Sequence, residues 1–257
     1  MAASRELTPP AVLSMRRRVL LLRLAIVAVV LASWQALSLS GLLFRDVVPS
    51  LGAIGRQFLA LLGTANFYFN LGITLSEIGV AMLIGGLSGL ATGLLLGANP
   101  FLSRAYESLI YYLGPTPKII FFPVMIMWFG VGSGSKIAMG ALSCFFPVAM
   151  SVAAGMREIN PVLIRVGRSF GASAGQMVRK IYLPAMQAPI VNGVRLGLGV
   201  AIIGTLLAET KLSNRGLGYL IIQAYATFDM PRMYALLVLL FIVAIGANGL
   251  LGRLASR

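Results

Sequence analysis

The sequence predicts an all-α polytopic membrane protein with about six transmembrane helices. Three observations carry this reading. Of the 257 residues 58% are hydrophobic, only 11% are charged, and several uncharged apolar runs reach the ~20 residues needed to cross ~30 Å of hydrocarbon.

Residues 24–44 are the first span. The run follows a basic N-terminus and passes Ala32-Ser33-Trp34, a pattern shared with secretory signals, but it continues to Phe44 and reads as a membrane helix. Residues 1–18 precede it as an N-terminal tail, of which residues 1–15 read as disordered. Residues 51–63, LGAIGRQFLALLG, have helical apolar spacing and read as a segment lying at the outer interface. Residues 19–64 thus hold the first span and an external interfacial segment, and residues 65–257 hold the core. Within the core, residues 78–98, 137–156 and 234–252 are uninterrupted spans. Two further spans are broken: residues 108–135 by Gly114-Pro115-Thr116-Pro117-Lys118, and residues 186–208 by Arg195.

The formal net charge is +14, yet the cations are scattered between apolar runs instead of being gathered on a soluble domain. Phospholipid headgroups and membrane orientation account for them better than nucleic acid does. With the N-terminus inside, 13 cations fall on the cytoplasmic side (Arg5, Arg16, Arg17, Arg18, Arg23, Arg104, Arg157, Arg165, Arg168, Arg179, Lys180, Arg253 and Arg257). Six fall outside (Arg45, Arg56, Lys136, Lys211, Arg215 and Arg232), which places both termini in the cytoplasm. The sequence has no histidine and a lone Cys144, so an intramolecular disulfide, a multi-cysteine metal site and the usual hydrolase constellations are excluded. GVGSGSK at residues 130–136 lacks the Gly-Lys-Ser/Thr of a phosphate-binding loop, and the chain is not expected to hydrolyse ATP by itself.

Gly85, Gly89, Gly93 and Gly97 stand four apart, as do Gly193 and Gly197, which lets one helix face approach a neighbour closely. Packing within the chain is the first expectation and subunit dimerisation the second. The prolines of GPTPK break a helix at a span entrance, either as a plain kink with a snorkelling Lys118 or as irregular backbone lining a pathway. Candidate pathway residues are Pro115, Pro117, Lys118, Phe121, Phe122, Met125, Arg195 and Glu209. Glu77 reads as an interfacial anchor.

One island is too basic and too punctuated by Gly and Pro to span: residues 157–184, closing in the stretch GASAGQMVRKIYLPA of residues 171–185. Asn160-Pro161 reads as a helix start, Gly171 as a left-handed corner, Ser173 with Gln176 as a capping box, and Pro184 as a helix stop. Gly171, Ile181, Leu183 and Pro184 also stand at the spacing of a signature in which Glu-Ala-Ala is followed by Gly and then by Ile-x-Leu-Pro. By this spacing the chain resembles the permease subunit of bacterial binding-protein-dependent ABC importers, and PTPKIIFFPVMIMWFGVGSGSKI with GLGYLI resembles the branch for nitrate, sulfonates and taurine. Arg165-Val166-Gly167 replaces the Glu-Ala-Ala.

The resemblance implies a type I importer permease fold in a bacterial cytoplasmic membrane. It implies a translocation pathway for a small, anionic solute delivered by an extracytoplasmic binding protein. Its expected partners are a second permease copy in a homodimer and two ATP-binding subunits, which would carry the ATP and Mg while this chain holds no cofactor. It makes the island a coupling helix, with Arg165, Gly167, Arg168, Ser169, Phe170, Gly171, Ala172, Ser173, Ile181, Leu183 and Pro184 as the residues facing or shaping the ATPase contact. A stand-alone secondary transporter or channel is the alternative. It would be expected to show an internal repeat or clustered intramembrane carboxylates, and neither is evident in the sequence.

Overall fold

The computed structural model describes residues 10–42 and 47–255, so Arg5, Arg45, Arg257 and the first nine residues of the tail lie outside the described residues. Twelve α-helices are described: α1 Pro10–Leu39, α2 Leu51–Leu62, α3 Ala65–Ala98, α4 Pro100–Leu113, α5 Phe122–Phe129, α6 Ser133–Glu158, α7 Pro161–Ser169, α8 Ala174–Met177, α9 Leu183–Ala185, α10 Gln187–Lys211, α11 Leu217–Ala226 and α12 Met230–Ala255. Five are long and apolar enough to cross a membrane, and α4 with the helical stretch Lys118–Phe129 makes a sixth if the pair is one bent span. This matches the six expected.

The boundaries differ from expectation where local chemistry overrides hydropathy. Helix α1 begins at Pro10, so residues 10–18, expected in the tail, are helical. It ends at Leu39, short of Phe44, because Gly41 turns to φ +68°. The α3–α4 boundary follows from Asn99, whose side chain accepts from Phe101 N at 2.9 Å, with Pro100 in the first turn where no amide donor is needed.

Helices α3, α6 and α10 form the centre, and small residues set how closely they meet. A Cβ at Gly89 would lie 2.7 Å from Phe145 O, and one at Gly93 would lie 2.6 Å from Val152 Cβ. From α10, a Cβ at Gly193 would lie 2.8 Å from Ser151 Cβ, and one at Gly197 2.9 Å from Cys144 Sγ. The glycine stripes are therefore used within the chain, with α3 parallel and α10 antiparallel to α6. Cys144, Val148, Val152 and Met156 fill the seam.

A second apolar cluster, including Leu61, Phe67, Leu217, Leu220, Leu236 and Leu239, joins α2, α3, α11 and α12 at the end of the bundle remote from the island. Helix α1 stands at the periphery, held where Trp34 Nε1 donates to Pro49 O at 3.0 Å and the Trp34 ring meets Tyr234 edge-on at 5.1 Å.

Candidate functional site

The island folds as a compact knob. Asn160 Oδ1 accepts from Val162 N at 2.9 Å and starts α7 with Pro161 in its first turn. At the other end Gly171 takes φ +67°, which turns the chain at the cost only glycine avoids. Ser173 and Gln176 then close a full capping box: Ser173 N donates to Gln176 Oε1 at 2.8 Å and Gln176 N to Ser173 Oγ at 3.3 Å. Pro184, expected to stop the helix, does not stop it; a π turn at Val178–Tyr182 carries the chain into α9, whose first turn accepts the proline, and the break comes at Met186. The π turn already omits the regular i→i−4 pairing, so the missing proline amide costs nothing further there.

Gly167 is the contact that makes α7 and the following segment one body. It is buried against the ends of Ile181 and Met177, and a Cβ there would lie 2.6 Å from Met177 Sδ. Ile181 and Leu183 are half-buried, while Arg165, Arg168, Ser169, Ser173 and Pro184 are exposed and Ala172 is half-buried. Phe170 projects with 86% of its surface exposed, beside exposed Val162, Leu163 and Val166. Residues 159–186 contain four cations and no acid. The knob therefore presents an apolar tip in a positive surround, and none of the described residues covers it.

The broken span bends by 94° between α4 and the stretch from Lys118. Lys118 Nζ donates to Gly114 O, within the break, and lies 4.9 Å from the centroid of the Phe146 ring. Pro115, Pro117 and Phe121 are exposed around it, and Met125 is half-buried. Phe122 is buried against Met139 and Ala208, away from any open surface. Arg195 is exposed on α10, away from the break, and reaches toward Gly252 near the end of α12.

Glu209 is 1% exposed and belongs to a polar cluster that sequence reasoning missed. The start of α11 has no cap from its own sequence; side chains of two spans supply it. Gly216 N donates to Asn70 Oδ1 at 2.7 Å, Leu217 N to Thr74 Oγ1 at 2.8 Å, and Gly218 N to Glu209 Oε2 at 2.6 Å. Gly216 takes φ +100°, and Gly218 leaves no room for a side chain, since a Cβ there would be 2.7 Å from Glu209 Cβ.

Lys136, expected outside the membrane as a surface cation, is 1% exposed and donates to Val131 O and to Leu212 O, the latter at 2.7 Å. Glu77, expected as an interfacial anchor, is 3% exposed and sits near Glu209 and Lys136. These corrections share a cause: the residues lie near one another inside the bundle, where their charges act on each other without forming an ion pair, so neither has to reach headgroups. A signal for them was present. Glu77, Lys136 and Glu209 each continue a four-residue stripe of small residues: Glu77 with Ala81 and Gly85, Lys136 with Gly140 and Cys144, and Glu209 with Thr205 and Ala201. The cluster joins α3, α6, α10 and the α10–α11 turn, and it is a structural clamp.

The sequence profile of the binding-protein-dependent transport system inner membrane component matches residues 82–257. The chain is 29% identical over 242 residues to the taurine transport system permease protein TauC of Escherichia coli (strain K12), covering 91% of this chain and 88% of that protein. It is 30% identical over 216 residues to the putative aliphatic sulfonates transport permease protein SsuC of Bacillus subtilis (strain 168), covering 84% and 78%. Among solved structures, an inward-facing conformation of the MetNI methionine ABC transporter superposes with a TM-score of 0.67 at 24% identity, covering 77% of this chain and 96% of that one. That likeness establishes a shared fold. Permeases of this family do not hydrolyse ATP themselves, and the importer architecture implies a partner ATPase and a binding protein. The chain belongs to the binding-protein-dependent transport system inner membrane component family: it is the multi-pass permease subunit of an ABC importer, similar to permeases of the nitrate, sulfonate and taurine type.

Proposed function

We propose that the chain imports a small anionic solute as a homodimer, with two ATP-binding subunits on the cytoplasmic side and a binding protein outside. Both termini and the island face the cytoplasm in this reading, supported by the 13 cations against six in the sequence. Residues 65–257 are the transport core, and residues 19–64 add a peripheral span and the outer helix α2. The substrate class follows from the relatives named for taurine and aliphatic sulfonates and from the cation at the break of the bent span.

The observation that carries the reading is the knob built on Gly171. Its exposed face offers Phe170, Arg165 and Arg168 to a partner, while Gly167, Ile181 and Leu183 join it to the base of α10 through α8 and α9. Closure of the ATPases would move the knob as a body and, through α10, tip the bundle between two arrangements; ATP with Mg in the partner subunits would drive this. Pro115, Pro117, Lys118, Phe121 and Met125 would line the path.

The test is uptake into proteoliposomes containing the permease and its ATPase, with the binding protein outside and taurine, methanesulfonate or nitrate as the labelled solute. Uptake of one of these anions only with ATP at the ATPase side and with binding protein present is the expected result. Uptake of an anion driven by an ion gradient without ATP would overturn the ATP-driven reading, and uptake restricted to uncharged solutes would overturn the substrate class.

A further inference from the structure

The sharpest unassigned feature is an ammonium group without a counter-charge at the bend of a membrane span. The apolar part of this bent span begins at about residue 108, so at 1.5 Å per residue the break at Gly114 lies roughly 9 Å further along α4, inside a ~30 Å hydrocarbon layer. Lys118 begins the next stretch. Its Nζ is held by Gly114 O, has Thr116 O at 3.5 Å and faces the Phe146 ring, yet no carboxylate of the described residues lies within ion-pair distance. The buried Lys136 differs: it too makes no ion pair among the described residues, but Glu77 and Glu209 lie near enough to act on its charge, whereas no acidic group does so for Lys118. Lys118 is left with partial dipoles only. An uncompensated charge at this depth is costly and is stabilised most directly by an anion.

There is space for one. A pocket of about 260 Å³ opens beside Lys118, walled by Pro117, Ile119, Met139, Ser143, Ile203 and Gly204. Gly204 lets α10 close on α6 at this wall, since a Cβ there would stand 2.5 Å from Ser143 Oγ and 3.0 Å from Met139 O. The walls are apolar apart from Ser143, whose hydroxyl donates to Met139 O at 2.8 Å and so leaves its lone pairs, not its proton, toward the surroundings. Lys118 is therefore the single strong donor. An apolar pocket with one cation selects for charge and size over detailed shape, which suits a site that must release its ligand quickly.

We propose that this pocket is a transient station for one small monovalent oxyanion, such as a sulfonate, with Lys118 as its charge-selecting residue. The proposal rests on the pathway reading above. It goes beyond that reading by fixing where the anion pauses and by assigning its selection to one ammonium.

The test uses the permease assembled with its ATPase in proteoliposomes, in a Cys144→Ser background, with Ile203→Cys as a reporter on the pocket wall. Ile203 is 58% exposed, so the thiol is reachable without repacking. The probes are two thiol reagents of similar size, the anionic methanethiosulfonate ethylsulfonate and its cationic trimethylammonium analogue. With Lys118 present the anionic reagent should react faster. Lys118→Gln should lower the anionic-to-cationic rate ratio by roughly tenfold, and Lys118→Arg should keep it. An unchanged ratio in Lys118→Gln, or no reaction of the reporter with either reagent, overturns the station. The pathway reading fails separately if trapping the ATPase with ATP and vanadate leaves both reaction rates unchanged, whichever way the charge preference falls.

Discussion

Thr74 and Glu209 are 135 positions apart in sequence and share one hydrogen bond: Thr74 Oγ1 donates to Glu209 Oε1 at 2.7 Å. The same hydroxyl accepts from Leu217 N, so a single side chain of α3 ties the carboxylate of α10 to the first turn of α11. A helix that begins inside a membrane protein with free amides would carry an uncompensated positive end. Here that end is satisfied by residues of other spans, which makes the position of α11 a property of the whole bundle.

Thr74→Val keeps the shape and removes both bonds. It should leave Leu217 N unpartnered and lower stability by about 1–3 kcal/mol, read as an earlier thermal unfolding transition of the detergent-solubilised protein. Glu209→Ala should cost more, because Gly218 N and Thr74 Oγ1 lose their partner together. Equal melting of Glu209→Ala and the unmodified protein would show that the clamp does not hold α11.

Gly89 and Gly86 differ by three positions but by everything in environment. A Cβ on Gly89 meets Phe145 O at 2.7 Å and Val148 Cβ at 3.0 Å, whereas one on Gly86 meets nothing within 4 Å. Gly89→Leu should therefore force α3 from α6 and lower stability by about 1–3 kcal/mol or more. Gly86→Leu should be neutral in the same thermal measurement. Similar losses in both would mean that the seam is not set by the glycine.

Arg157 and Glu107 form an ion pair between α6 and α4, with Ser103 Oγ also donating to Glu107 Oε2 at 2.7 Å. The arginine is half exposed, so solvent screens the pair. Glu107→Gln should change stability by less than ~1 kcal/mol, and the small difference should shrink further as salt is raised. A large loss that salt does not alter would place this pair in a drier setting than the structure gives it.

Much of this architecture was legible because its determinants are local. Asn160-Pro161, Gly171 and Ser173 with Gln176 each act within four residues, and each does in the structure what its spacing suggests. The glycine stripes were legible as close-packing faces, though only the structure shows that their partner is α6. The polar clamp was not read, because Glu77, Lys136 and Glu209 stand near span ends where hydropathy cannot distinguish a headgroup anchor from a buried partner. Deciding that requires knowing which helices meet, and the three residues come from three different spans. Pro184 was misjudged for the opposite reason: a correct local rule was overridden by the π turn just before it.

Orientation gives a direct test. Cysteines introduced in a Cys144→Ser background at Arg168, on the knob, and at Ser213, in the α10–α11 turn, lie at opposite ends of α10. The first should react with an impermeant thiol reagent only from the cytoplasmic face and the second only from outside. The reverse pattern would overturn the proposed placement of both termini.

The last prediction concerns transmission through the knob. Gly171 holds φ +67° with open space around its Cα, so a side chain there meets no neighbour and is opposed by backbone strain alone. That strain is roughly 1–2 kcal/mol and is greatest for β-branched residues. Gly171→Val should therefore relax the corner and tilt α7 off the following segment without disturbing any span. Gly171→Asn, which tolerates the left-handed region better, should behave more like the unmodified protein. Arg165 and Arg168 are exposed on the same body, and residues 159–186 carry no acid, so in the proposed coupling role they are free to meet acidic groups of the ATPase. Arg168→Glu should weaken co-purification of the ATPase with the permease, most at low salt where charge contributes most. In the assembled transporter, Gly171→Val should retain ATPase binding but lose the rise in ATP hydrolysis caused by substrate-loaded binding protein, while Arg168→Glu should lose both. Normal stimulated hydrolysis in Gly171→Val would show that the corner does not transmit motion. Normal ATPase binding in Arg168→Glu would show that the positive face of the knob is not the docking surface.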